Sequence, residues 1–593
     1  MKLILSKNII KLFLLLTFLS ACDSPDEIEL TTAADLVLIN ASIYTVDEAQ
    51  PWAKTMAIKD GYIVYVGPND EINNFIADNT RVIDLQDKMV IPGMQDAHIH
   101  PIMSGIRAEI LDLSQYETVA EYRSVIRDYV NTNADVEWVL GGGWSMGAFG
   151  PGAKASKNII DELVSDRPVY LGSRDGHSGW ANSLALEMAG ITKNTPDPVD
   201  GIIDRDPETG ELIGSLQEGA MALVERIIPA DTLETREAGL KYAVKLLNSF
   251  GITAMQDAAL NGIGISASMD AIDLKAYHSL DQKGGLSMRV VGAHWWVRDR
   301  GIEQLDHFKQ LRTEYSSTLI KPTSVKIMQD GVMENYTAVL LEPYNIPSQS
   351  KGIPMIEPEF LKEIVTAVDA AGFQVHFHAL GDGAIRQALD AVEEAIYENG
   401  QLGNRHHISH LQLVHPDDFS RFAELEVVAN FQPLWAYSGD YLTELAAPFV
   451  GQERLRWSYA IKTLEDAGAK IAFGSDWSVT SANPFHQIET SITRQSATEV
   501  TALENKPVDP EQDVPLFIEE SISLEAAIKA FTLNAAFVNK IESRTGSLEI
   551  GKLADLVILD QNLFEIEPYD ISETNALITL FDGEVVHGGW AEL

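Results

Sequence analysis

Apolar and polar positions change texture twice along this chain. From Ala34 to about Val90 they form short apolar runs, at 35–40, 41–46, 55–58 and 62–66. Turn signals such as Asp60-Gly61 and Gly67-Pro68-Asn69-Asp70 separate the runs, which is how consecutive β-strands read. The same texture returns at 554–560 and 575–580, followed by a turn at Asp582-Gly583 and a last run at 584–587. Two β-rich ends around a large middle predict a small β-sandwich domain built from both termini, residues 34–92 and 545–593.

In the middle, strand-like runs alternate with amphipathic stretches such as 359–371 and 384–399. The first run leads from Met94 into His98. Others follow at 251–257, 287–293, 323–328, 373–378, 407–412, 427–432 and 470–476. Eight strands with helices between them predict an α/β fold, a (β/α)8 barrel of the TIM type over 93–544. A doubly wound sheet is the competing topology, but it has no need of polar residues at strand ends spread around the whole sheet. One spacing is anomalous, because about 150 residues separate the first strand from the second. A connection that long must carry its own structure. It contains strand-like 137–140 and 168–171 and a hairpin-like 201–213. A large insertion after strand one, placed at 101–250, is therefore expected to form a lid or substrate-pocket subdomain.

Composition adds few constraints. The chain has 593 residues, 45% of them hydrophobic, so it is globular and long enough for more than one domain. A net charge of −43 argues against nucleic acid and anionic membrane surfaces as partners, and reads as a solvated acidic surface. The N-terminus reads as a targeting segment. Lys2, Lys7 and Lys11 precede an apolar core from Leu12 to Leu19 that is too short for a stable membrane span. Leu19-Ser20-Ala21-Cys22 resembles the bacterial lipoprotein cleavage box. Residues 1–21 are then the signal peptide, Cys22 the lipidation site, and 22–33 an acidic tether. Cys22 is the single cysteine, so the mature chain has no disulfide. The expectation is an exported protein, lipid-anchored to the bacterial cell envelope on the periplasmic side or the surface, with no other membrane contact.

The chemistry starts at Asp96-Ala97-His98-Ile99-His100. Alternate side chains on a strand share a face, so Asp96, His98 and His100 point the same way and two imidazoles are placed to bind one ion. His-x-His alone is a weak signal. Active sites of such barrels sit at the C-terminal ends of the strands. The last inward polar residues there are Lys326 on strand four, His378 on strand five, His410 on strand six and Asp476 on strand eight. Taken singly, His410 reads as a core histidine and Lys326 as a lysine paired with an acid. Together with His98 and His100 they form a set able to hold one or two divalent metals. Lys326 would have to be carboxylated, since an ammonium repels a cation whereas a carbamate is a bridging anion.

These residues carry a resemblance. The chain resembles the amidohydrolase superfamily, and within it the amidohydrolase-3, YtcJ-like group of metal-dependent hydrolases, from about Ala34 to His587. The motifs are Pro92-Gly-Met-Gln-Asp-Ala-His-Ile-His100, Asp175-Gly-His-Ser178, Val325-Lys-Ile-Met-Gln-Asp-Gly331, His378-Ala-Leu-Gly-Asp382, Arg405-His-His-Ile-Ser-His-Leu-Gln412, Phe431-Gln-Pro433 and Phe473-Gly-Ser-Asp-Trp477. In many members a small residue stands where this chain has Glu334, beside the expected pocket. Strand five also carries His376, one position-pair deeper than His378. The resemblance implies that His378 is the ligand and that His376 lies in the layer behind the ligands.

What the resemblance implies is hydrolysis of an amide-type C–N bond, N-acyl or N-formyl, of a small molecule by metal-activated water. Zinc is the expected ion. Asp476 would bind metal, take the proton of the attacking water and pass it to the leaving nitrogen. His177 would polarise the carbonyl or contact substrate, and Asp96 would orient a ligand histidine. Glu334, Gln432 and Trp144 are the further substrate-contact candidates, with Trp180 and Trp477 as possible pocket aromatics. A lactonase, esterase or phosphotriesterase would use the same metal site, and a homodimer is left open. The anchor is directly testable: Cys22→Ser is expected to move the protein from the membrane to the soluble fraction on cell fractionation, and unchanged membrane association would refute lipidation.

Overall fold

The computed structural model describes residues 33–593 apart from 153, 263–270, 498–513 and 592. The signal peptide, Cys22 and nearly all of the tether therefore lie outside the described residues. Among the described residues no helix is long and apolar enough to cross a membrane.

Eight parallel strands form the central sheet: β1 (Met94–Ile99), β2 (Ile252–Leu260), β3 (Arg289–Trp295), β4 (Ile320–Met328), β5 (Gln374–Ala379), β6 (His407–His410), β7 (Val428–Phe431) and β8 (Ile471–Phe473). Their order in the sheet is the order in the chain, from β8 across to β1. Every one of the eight runs read from the sequence is a strand here. They read clearly because a strand covered on both faces is a near-continuous apolar run. The loop after β8 returns to β1 and closes the cylinder. The Asp476 amide donates to the His98 carbonyl at 2.8 Å, and the His100 amide to the Trp477 carbonyl at 3.2 Å.

The chain termini build two further sheets. One has four strands, all from the N-terminal segment, Leu36–Ile39, Thr55–Lys59, Tyr62–Gly67 and Arg81–Asp84. The other has six, mixing Ser42–Tyr44, Trp52–Ala53 and Met89–Pro92 with the C-terminal Leu556–Leu559, Ala576–Phe581 and Glu584–Gly588. Leu38, Met56 and Ile63 of the first sheet share a buried core with Ile43, Leu556, Ile558 and Ile578 of the second. Arg289 on β3 ties this unit to the barrel through Asp555 and Asp582.

Between β1 and β2 lies a third, six-stranded sheet spanning Leu111 to Glu218. Its flanks belong to the barrel. Helix α1 (Pro101–Arg107) and helix α2 (Leu233–Ser249) pack directly on each other. Gly105 makes this possible, since a Cβ there would sit 2.0 Å from the Gly239 carbonyl oxygen. The self-contained part of the 101–250 stretch is thus its middle.

The barrel seam rests on Asp96. Its carboxylate accepts from the Ser475 amide at 3.0 Å, the Ser475 hydroxyl at 2.5 Å and the His98 amide at 3.0 Å. Asp96→Ala strips three buried donors of their acceptor and is expected to cost about 2–4 kcal/mol, read as a lower apparent melting temperature. An unchanged melting temperature would show that the backbone bonds hold the seam alone.

Candidate metal centre and substrate cavity

The seam brings the ends of β1 and β8 together and with them His98, His100 and Asp476. Asp476 Oδ1 lies 3.4 Å from His98 Nε2 and 3.1 Å from His100 Nε2, and Oδ2 lies 3.9 Å from His410 Nδ1. Among the described residues, His98, His410 and Asp476 offer ligand atoms that all lie within 4.8 Å of one another. Two of these side chains reach the centre through left-handed backbone, with φ of 84° at His410 and 54° at Asp476. On β6 this matters: Ser409 touches His98 from inside the barrel, so regular alternation would turn His410 outward.

The donor set fits a metal cation. Both ring nitrogens of His410 are buried with no hydrogen-bond partner among the described residues, and Asp476 Oδ1 faces only the imidazoles of His98 and His100. Buried polar atoms are ordinarily paired, so unpaired imidazole nitrogens gathered with His98 around one carboxylate are what a cation would satisfy. Charge states agree. Burial pushes the His98 imidazole down to about 3, with the Lys326 charge acting the same way. His378 and His410 are also held well below the ordinary histidine range, first by burial. A neutral imidazole is the ligating form. Burial works to raise Asp476, but His98 and His100 outweigh it and keep the carboxylate ionised. Burial pushes Lys326 down to about 7, with Asp476 opposing.

A deeper layer orients the ligands. His98 Nδ1 lies 2.7 Å from His376 Nε2 and 2.9 Å from Ser409 Oγ, which leaves Nε2 facing Asp476. His376 in turn packs on His407, their ring centroids 4.0 Å apart. Thus His376 lies behind the ligand candidates, as expected, and its partner is His98 on a different strand. Asp96 touches no imidazole. It binds the His98 amide and Ser475, so it acts on the histidine His98 through the backbone and not through the ring. His378 is placed by Asp330, whose Oδ1 lies 3.5 Å from His378 Nδ1. Asp330 also accepts from the amides of Val339, Leu380 and Gly381, fixing the loops after β4 and β5.

Above the centre opens a cavity of about 400 Å³, with His378, His177 and Glu334 in its wall. His177 comes from the inserted sheet, and its ring centroid is 5.2 Å from that of His378. Its Nδ1 lies 3.0 Å from Glu218 Oε2. Burial would lower His177, but Glu218 overrides it and lifts it to about 9, so the ring is a cation and Nε2 carries a proton. Burial pushes Glu334 up to about 7, and its closest donor is Gln412 Nε2 at 3.4 Å. Trp435 also lines the cavity and stacks on His410 at 5.2 Å with the planes 4° apart. Trp477 lines it too.

Two substrate-contact expectations do not hold. Trp144 is fully buried in the core of the inserted sheet, against Trp180 and Phe149, with its Nε1 donating to the Leu171 carbonyl. Trp180 is core for the same reason. Gln432 is fully buried and absent from the cavity wall. The hydroxyl of Tyr441, which accepts from the Met146 amide, and Arg174, Trp435, Glu218 and Asp330 were not singled out from sequence. Asp330 stood inside a quoted motif and Glu218 is an acid at a strand end, so both carried a signal. The others owe their place to partners far away in the chain.

Comparisons agree with this geometry. Residues 81–587 match the amidohydrolase family. Protein LONG AFTER FAR-RED 3 of Arabidopsis thaliana is 32% identical, over 93% of this chain and 92% of its own. N-substituted formamide deformylase of Arthrobacter pascens is 24% identical, over 93% and 98%. The crystal structure of an uncharacterized metal-dependent hydrolase from Pyrococcus furiosus superposes with a TM-score of 0.65 at 25% identity, covering 90% of this chain and 99% of that one. With a barrel closed around a histidine–aspartate metal site and a match over most of its length, the chain belongs to the amidohydrolase family.

Proposed function

We propose that this hydrolase cleaves the amide-type C–N bond of a small N-acyl or N-formyl compound with water. The observation that carries the reading is the Asp476 carboxylate, held ionised between His98, His100 and His410 below a cavity large enough for a small molecule. The formamide deformylase among its relatives supports a C–N substrate. His98, His100, His378, His410 and Asp476 would hold the metal, with Lys326 as a bridge if carboxylated. A divalent ion, zinc by its affinity for imidazole and carboxylate, supplies Lewis acidity and brings the pKa of water to about 7.

The protein's own residues then divide the remaining work. Asp476 is the one ionised group in the cluster able to accept the proton of water and return it to the departing nitrogen. His177, kept protonated by Glu218, presents an N–H across from His378, where the oxygen of a substrate carbonyl gains charge during attack. Trp435, Tyr441 and Trp477 give the cavity apolar walls that exclude water from the rest of the substrate. The partly neutral amine of Lys326 is the form that reacts with carbon dioxide, which is what a carbamate requires.

A panel of N-formyl and N-acyl amines, lactones and phosphotriesters tests the reading. Turnover confined to lactones or phosphotriesters would refute it. Asp476→Asn is expected to lower turnover by about 10²–10⁴-fold while bound metal persists, measured by steady-state kinetics beside elemental analysis. For Lys326→Ala, the expected result is fewer metal equivalents per chain and slower turnover. Metal content and activity both at wild-type level would rule the carbamate out.

A further inference from the structure

The cavity wall holds a cation that the chemistry above does not use. Arg107 is the last residue of α1, the helix that begins directly after His100. At 1.5 Å per residue its Cα lies about 10 Å along the helix from that ligand. Its side chain is partly buried and lines the main cavity together with His177, His378, Trp435 and Trp477. It also lines a smaller adjoining cavity that contains His100.

Arg107 makes no hydrogen bond and no ion pair with a described residue. The contrast with Arg174 in the same wall is direct. Arg174 is committed to the Glu117 carboxylate at 2.5 Å and the Ser114 carbonyl at 2.9 Å. The carboxylates of Glu225, Asp175 and Asp112 act on Arg107 through charge, with no hydrogen bond to its guanidinium, and each accepts from a neutral donor instead. Asp112 accepts from the Ser114 amide, Asp175 from the Ser173 hydroxyl and the His177 amide, and Glu225 from the Tyr170 hydroxyl. Nor does the guanidinium cap its own helix. It reaches across to the inserted sheet, where Nη2 lies 3.6 Å from the place a Cβ on Gly172 would take. A partly desolvated guanidinium whose N–H groups no described residue accepts is costly, and its planar fork matches a carboxylate in two parallel hydrogen bonds.

We infer that Arg107 is the anchor for a carboxylate on the substrate, so that the preferred substrates are amides whose remaining part carries an anionic group. This rests on the amide-hydrolase reading above, and it narrows that reading to acidic substrates. The aromatic walls supply the apolar contact beside the anchor.

The test uses two substrates that differ only in the carboxylate, N-formylphenylalanine and N-formylphenethylamine, on the full-length metal-loaded protein. The wild type is expected to favour the acid in kcat/KM. Arg107→Gln is expected to raise KM for the acid by about 10- to 100-fold, with the amine changed less than about threefold and kcat preserved. Arg107→Lys should restore part of the loss, and it reads the same split if the glutamine variant does not fold. Equal losses on both substrates, as a structural role would give, overturn the inference. So does a wild type that prefers the amine. If the wild type hydrolyses neither compound, the panel above decides separately on the amide-hydrolase reading, and calorimetric binding of 3-phenylpropionate decides on Arg107. A tenfold loss in Arg107→Gln supports the anchor, whereas unchanged affinity assigns the anion to the metal and overturns it.

Discussion

The seam between β1 and β8 is the constraint on which the site depends. His98 and His100 stand at one edge of the eight-stranded sheet and Asp476 at the other, and only closure makes them neighbours. The contact that seals it, Ser475 to Asp96, spans 379 positions of sequence. Closing such a loop carries an entropic cost that grows slowly with length, so a few buried hydrogen bonds can hold it. Asp96 provides them in one carboxylate, binding the strand that bears His98 and the loop that bears Asp476. The same residues left as an open sheet would present two half-sites a sheet width apart.

Closure also explains which parts of the molecule were legible in the sequence. The eight strands were, because burial on both faces writes an apolar run. The histidines, Lys326 and Asp476 were, because polar residues at the ends of such runs have no structural reason to cluster. Residues whose meaning comes from a distant partner were not. Asp96 reads like a ligand-orienting acid beside two histidines, and only the position of Ser475 shows it to be a clamp. Trp144 reads like a pocket aromatic, yet after the register shift at Gly143 it packs onto Trp180 and Phe149. His410 was reached although alternation alone points it away, since a left-handed residue is not visible in a hydrophobic pattern.

The charge pattern of the centre follows from depth. Burial pushes His98, His378 and His410 toward the neutral form and Lys326 toward the free amine. Asp476 alone keeps its charge, because two imidazoles face it. A net charge of −43 spread over the surface therefore says little about the site, where positive charge is rationed instead. His177 stays protonated because the inserted sheet brings Glu218 with it, and Arg174 is neutralised by Glu117.

That division assigns different tasks to barrel and insertion. The barrel supplies the ligand cluster from the ends of five strands, β1, β4, β5, β6 and β8. The insertion supplies His177, Asp175 and Arg174 to the cavity and lies over the guanidinium of Arg107, which the barrel's first helix extends toward it. The proposed anchor puts substrate choice at the surface between α1 and the inserted sheet. A guanidinium whose N–H groups no described residue accepts, on the wall of the same cavity as His378, is where the proposed recognition can be separated from chemistry.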